Sequence, residues 1–189
     1  MSSLEYELRF INAGIEQLES YLLSTQLYWP IGISPPSGYP PYPPLTIGNL
    51  LLADRKAQAL ARENAHRNNL QKSENELKTI ASQWGLKWEN KCVREFQARL
   101  TLWGNYLQEY RENPGNNYDR YNYEVSRRVI LELLLTAHGA ITQSNLELLT
   151  TLDAVLYELL NKGEFIWEND LAVLFPRADF WFLYGNLPT

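Results

Sequence analysis

Residues 73–112 read SENELKTIASQWGLKWENKCVREFQARLTLWGNYLQEYRE. Along this stretch Leu77, Ile80, Trp84, Trp88, Cys92, Phe96, Leu100, Trp103, Leu107 and Tyr110 recur at steps of three and four. The mean step is about 3.7, the period of one face of an α-helix. The spacing predicts a central helix whose apolar ridge is covered by the other helices. Forty residues at a rise of about 1.5 Å would reach about 60 Å. Gly85 and Gly104 each cost about 1 kcal/mol inside a helix. Either the helix breaks near Gly85, or the glycines admit a close neighbour beside Trp84 and Trp103; continuity with a bend is the preferred reading. The turn signal Asn113-Pro-Gly-Asn-Asn117 ends the helix.

Toward the N-terminus, Ser2-x-x-Glu5 has the spacing of a capping box. Leu4, Leu8, Ile11, Ile15, Leu18 and Leu22 predict an amphipathic first helix, made acidic by Glu5, Glu7, Glu16 and Glu19. Seven of the ten prolines then fall between Pro30 and Pro44. That density excludes helix and favours polyproline II with turns at Gly32 and Gly38. The stretch reads as a strap laying Tyr28, Trp29, Tyr39 and Tyr42 on the domain. The competing reading is a projecting ligand, because Pro40-x-x-Pro43 and Pro41-x-x-Pro44 fit recognition by an aromatic groove. Thr46 is the expected N-cap of the next helix, with Leu45 and Leu50 as its hydrophobic staple. The polar run beyond Arg62 predicts an exposed helix end or a turn near Asn68–Ser73.

Toward the C-terminus, Val125, Val129, Ile130, Leu133, Leu134 and Ala137 predict a helix from about Asn122 to His138, with Gly139 as its C′ residue. Ser144-x-x-Glu147 opens another helix, whose face holds Leu146, Leu149, Leu152, Val155, Leu156, Leu159 and Leu160. Asn161-Lys-Gly163 closes it. The aromatic tail over 164–189 suits short helices begun at Asn169 and Asp179, or a β-ribbon of Phe165-Ile-Trp167 with Phe180–Tyr184. The expected fold is all-α: one domain over 1–189, an irregular bundle of about five main helices, a Pro-rich strap and an aromatic tail.

Composition narrows the function classes. A net charge of −5 argues against a general nucleic-acid binder, although residues 46–112 carry 11 Lys/Arg against 8 Asp/Glu. No signal-peptide pattern opens the chain, and no apolar run approaches the roughly 18–20 residues that span a bilayer. A soluble cytoplasmic protein away from membranes is the expectation. Cys92, the one cysteine, sits on the apolar ridge and reads as a reduced, buried thiol. The 12 Tyr, 6 Trp and 6 Phe are the unusual total, and tyrosine suits half-buried contact surfaces.

No motif fixes a chemistry. Glu63-x-x-His66 has the spacing of a di-iron ligand pair, but such a site needs the motif twice, and Leu135 stands three residues before His138. No metal and no cofactor are expected. G-x-S-x-G, the P-loop and G-x-G-x-x-G do not occur. Three readings remain. The preferred one is a non-catalytic interaction or scaffold subunit that binds another protein or itself through Tyr39, Tyr42, Phe180, Trp181, Phe182 and Tyr184. The second is contact with nucleic acid or another anion through Lys87, Lys91, Arg94, Arg127 and Arg128, set among aromatic residues. The third is an enzyme site assembled from His138, Arg127, Arg128 and Tyr123.

Overall fold

The computed structural model describes residues 3–137 and 141–189. Those residues form seven α-helices and one two-stranded ribbon, so the fold is all-α. Two compact units divide the chain, Met1–Glu95 and Phe96–Thr189. No described helix is long and apolar enough to cross a membrane.

The first unit holds α1 (Leu4–Leu23), α2 (Ile47–Leu60), α3 (Asn64–Gln83) and the start of α4 (Gly85–Glu112). Ser3 caps α1, its side chain accepting from the Tyr6 N–H at 3.2 Å; the expected cap, Ser2, lies outside the described residues. Thr46 caps α2 as its sequence predicts, accepting from the Asn49 N–H at 3.1 Å. The staple residues Leu45 and Leu50 are buried. Between α1 and α2 the Pro-rich strap closes on itself, because Trp29 and Leu45 exchange backbone hydrogen bonds of 3.1 and 2.7 Å. A turn forms at Ser37-Gly38, closed by the Tyr39 N–H on the Pro36 carbonyl, whereas Gly32 takes a positive φ of 70° without the expected turn; Gly38 has φ 85°.

Two expectations about the central stretch are corrected. The helix is not continuous: α3 ends at Gln83, Trp84 adopts φ −109°, ψ 26°, and α4 starts at Gly85. Nothing lies within 4 Å of where a Cβ on Gly85 would sit, so no close neighbour calls for this glycine. The Trp84 carbonyl accepts from both Lys87 and Trp88, which keeps its oxygen bonded across the interruption. The turn expected near Asn68–Ser73 lies earlier, at residues 61–63. Arg67 bonds the Ala61 and Arg62 carbonyls there and holds the start of α3 against the end of α2. The ridge itself is interior: every member is buried except Trp84, which is half-buried and donates to Glu19.

The second unit contains the rest of α4, the single turn α5 (Pro114–Asn117), α6 (Tyr121–Ala137), α7 (Gln143–Leu159) and the tail. His138 and Gly139 lie outside the described residues. Thr142, two residues before the expected Ser144, caps α7 by accepting from the Asn145 N–H. The tail forms an antiparallel ribbon of β1 (Asn161–Phe165) and β2 (Tyr184–Asn186), with Asn161 opposite Asn186, Lys162 opposite Gly185 and Phe165 opposite Tyr184. Asn161-Lys-Gly163 is therefore strand and not a closing turn. Leu160 leaves α7 in an extended conformation, and a bulge between Lys162 and Phe165 restores the pairing. Gly185 has φ 148°, and a Cβ there would stand 2.3 Å from the Asn161 oxygen, so this pairing requires glycine. Short 3₁₀ turns at Asn169–Leu174 and Trp181–Leu183 take the place of the expected tail helices. Phe175, Phe180 and Phe182 pack edge to face at 5.1 and 5.9 Å and are buried.

Candidate protein-interaction surface

The cations singled out in the sequence are mostly engaged inside the chain. Lys91 is buried, and its ammonium donates to Ser24 Oγ at 3.2 Å and to the Gln26 carbonyl. It also lies 4.0 Å from the centroid of the Tyr21 ring. Burial, with Arg94 and Lys87 close by, lowers its pKa to about 8. Arg94 donates to the Thr25 carbonyl at 3.0 Å. Both therefore serve the chain leaving the C-terminus of α1, where positive charge is favoured by the helix dipole. Arg128 is buried between Asp153, which it holds bidentately at 2.7 and 2.8 Å, and Glu132 at 3.0 Å. Burial by itself would lower its pKa, but the two carboxylates outweigh that and raise it. Arg127 pairs with Glu124. Of the five, Lys87 and Arg94 are exposed.

The aromatic candidates divide in the same way. Tyr39 and Tyr42 lie on Tyr6 of α1, ring centroids 5.4 and 4.5 Å away. The Tyr42 hydroxyl donates to the Tyr6 carbonyl at 3.2 Å. Gln17 accepts from the Trp29 indole and donates to the Ile31 carbonyl, so the strap is packed along α1. Burial, with Glu7 nearby, pushes the Tyr6 phenol up to about 12. Phe180 and Phe182 are core residues of the second unit, and side chains without exposed surface offer nothing to a partner. Tyr184 is half-buried, and its hydroxyl donates to the Phe175 carbonyl at 2.9 Å. Trp181 is half-buried, with its ring edge-on to the exposed Tyr157 at 5.6 Å.

Sequence reasoning missed an uncovered apolar surface on α7. All the Leu and Val of α7 assigned to a buried face were expected to fill it, yet only Leu149 and Leu156 within the helix are buried. At about 100° per residue, Leu148, Leu152, Val155 and Leu159 fall within about 60° of one another. Leu148 is 47% exposed, and the other three are half-buried. Leu152 and Val155 of this ridge form one wall of an open groove of about 500 Å³, and Gly104, Leu107, Gln108, Arg111 and Glu112 of α4 line the other. Gly104 sets the floor: a Cβ there would stand 3.5 Å from Leu152 Cδ1. The signal was present in the sequence, because the seven Leu and Val of α7 span about 180° of the helix, wider than the stripe of about 100° that one packed face needs.

Other features offer less. A polar recess of about 400 Å³ beside the ribbon is lined by Asn122, Asn161, Glu164 and Asn186 among others. Glu63 and His66 are 4.0 Å apart on exposed surface. No three His, Cys, Asp or Glu among the described residues are grouped to hold a metal ion. Cys92 is buried, and that burial, together with Glu95 and Glu89, pushes its thiol pKa up. Tyr123 is exposed, and its proposed companion His138 lies outside the described residues. Comparison with protein-family models, with curated proteins and with solved structures gives no match.

Proposed function

We propose that this protein is a non-catalytic helical interaction subunit, acting in the cytoplasm, and that the second unit carries its docking surface along α7. The observation that carries the reading is the partial cover of α7: seven Leu and Val residues over 143–159, two of them buried. Uncovered aliphatic ridges of this kind mark protein contact sites. The nucleic-acid reading has less support, because Lys91, Arg94, Arg127 and Arg128 bond within the chain.

The test is site-specific photo-cross-linking in the host cell. A photoreactive residue at Leu148 or Val155 is expected to form a defined protein adduct, and one at the exposed Glu76 of α3 is not. The captured protein, purified, should bind with a dissociation constant below about 10 µM. Leu148→Asp should abolish that binding without unfolding the chain. No defined adduct from either α7 position, or the same pattern from Glu76, overturns the reading.

A further inference from the structure

We infer that the groove between α4 and α7 takes an amphipathic helix whose apolar stripe is flanked by Lys or Arg, supplied by another protein. This rests on the reading of α7 as a docking surface and specifies the partner. The groove is a valley between two helices, and an aliphatic stripe at helical spacing is the complement of such a valley. Leu148, Leu152 and Val155 present side chains at steps of four and three, the repeat at which one helix packs against another.

The charges select the flank. From residue 138 to 161 the chain has no Lys or Arg, and the charged residues of α7 are Glu147, Asp153 and Glu158. Asp153 is held by Arg128. Glu147 and Glu158 are exposed and lie on the same side of the aliphatic ridge, about 90–110° round the helix from its centre. They stand on the side of α7 opposite the buried Leu149 and Leu156, beyond the residues that line the groove, and flank its α7 wall. On the α4 wall, Arg111 stands beside Glu112, and Gln108 donates to Glu112 at 2.9 Å. The two sides together are acidic, as is the second unit as a whole, with seven Lys/Arg against twelve Asp/Glu. A second copy of α7 would place Glu147 and Glu158 against carboxylates, so self-pairing through this face is disfavoured.

Three synthetic helical peptides test the inference on the full chain. One has leucines at helical spacing flanked by lysines, one has the same leucines flanked by glutamates, and one scrambles the first. The lysine peptide is expected to bind about tenfold tighter than the glutamate peptide. Its affinity should fall between about 50 and 500 mM NaCl. Backbone chemical-shift changes should cluster at Gly104–Glu112 and Leu148–Leu159. The surface variant E147K/E158K should reverse the preference. Equal binding of the lysine and glutamate peptides, equal binding of the scrambled peptide, shifts elsewhere, or an unchanged preference in the variant each overturn the inference. A cross-linked partner that contacts Leu148 through an acidic or uncharged segment would sink this inference and leave the docking surface standing. Loss of the adduct altogether would sink the docking surface itself.

Discussion

Helices α1 and α7 are similar in sequence pattern and opposite in setting. Each has leucines at steps of three and four, a Ser or Thr cap and glutamates on its polar side. Nine of the twenty residues of α1 are buried, against two of seventeen in α7. The Pro-rich strap accounts for part of this. It lies along α1 through Tyr39, Tyr42 and Ile31, while α2 and α3 pack on the same helix. Among the described residues of the second unit, no comparable strap lies along α7. An apolar stripe therefore specifies what a helix needs covered, and the rest of the chain decides whether its own residues supply the cover.

Stability measurements sharpen that contrast. Leu18→Ala in α1 and Leu156→Ala in α7 remove fully buried side chains, and each should cost about 3 kcal/mol. A loss well below that at Leu156 would show that α7 is loosely held throughout and not merely uncovered on one side. Glu95→Ala comes next. Its buried carboxylate accepts from Thr46 Oγ1 at 2.6 Å and from the Gly48 N–H at 2.8 Å, at the start of α2. Leaving those donors buried without it should cost about 2–3 kcal/mol, read as a lower melting temperature and faster amide exchange in α2.

Gly185→Ala forces a Cβ against the Asn161 oxygen and should cost about 2 kcal/mol, with amide protection lost in β1 and β2 while α1 is unaffected. Asp54 gives a smaller, pH-dependent effect. Burial, and then Glu74, raises its carboxyl from 3.8 to about 6. Gln58 donates to both Asp54 and Glu74 at 2.8 Å, joining α2 to α3. The folded state holds this proton more tightly than the unfolded state. Folding is therefore penalised above about pH 6, and the penalty fades as pH falls toward 3.8. Asp54→Asn should stabilise the first unit by about 1 kcal/mol at pH 7 and flatten that part of its pH profile. Leu148→Ser, at the exposed ridge, should change stability by less than about 0.5 kcal/mol. A large loss there would mean that Leu148 is core and that the contrast between the two helices is false.

The candidate surface was only partly legible in the sequence. Tyr39, Tyr42, Phe180 and Phe182 are aromatic and clustered in the sequence, but clustering along the chain does not distinguish a ring turned inward from one turned out. Lys91 and Arg94 looked like a basic face because their acceptors, the Ser24 hydroxyl and the Thr25 and Gln26 carbonyls, are more than sixty residues away. The groove needs α4 and α7 side by side, and no spacing within either helix reports that neighbour.

By itself the sequence determined the helical class, the cap of α2 at Thr46, the turn of the strap at Gly38 and the interior ridge from Leu77 to Tyr110. These depend on local sterics, hydrogen bonding and periodicity, all of which act within a few residues. The tertiary structure decided the ribbon that pairs Asn161 with Asn186 and which half of α7's apolar surface stays open. Each of those depends on a contact between segments far apart in the chain, and its energy exists only once the backbone has brought them together.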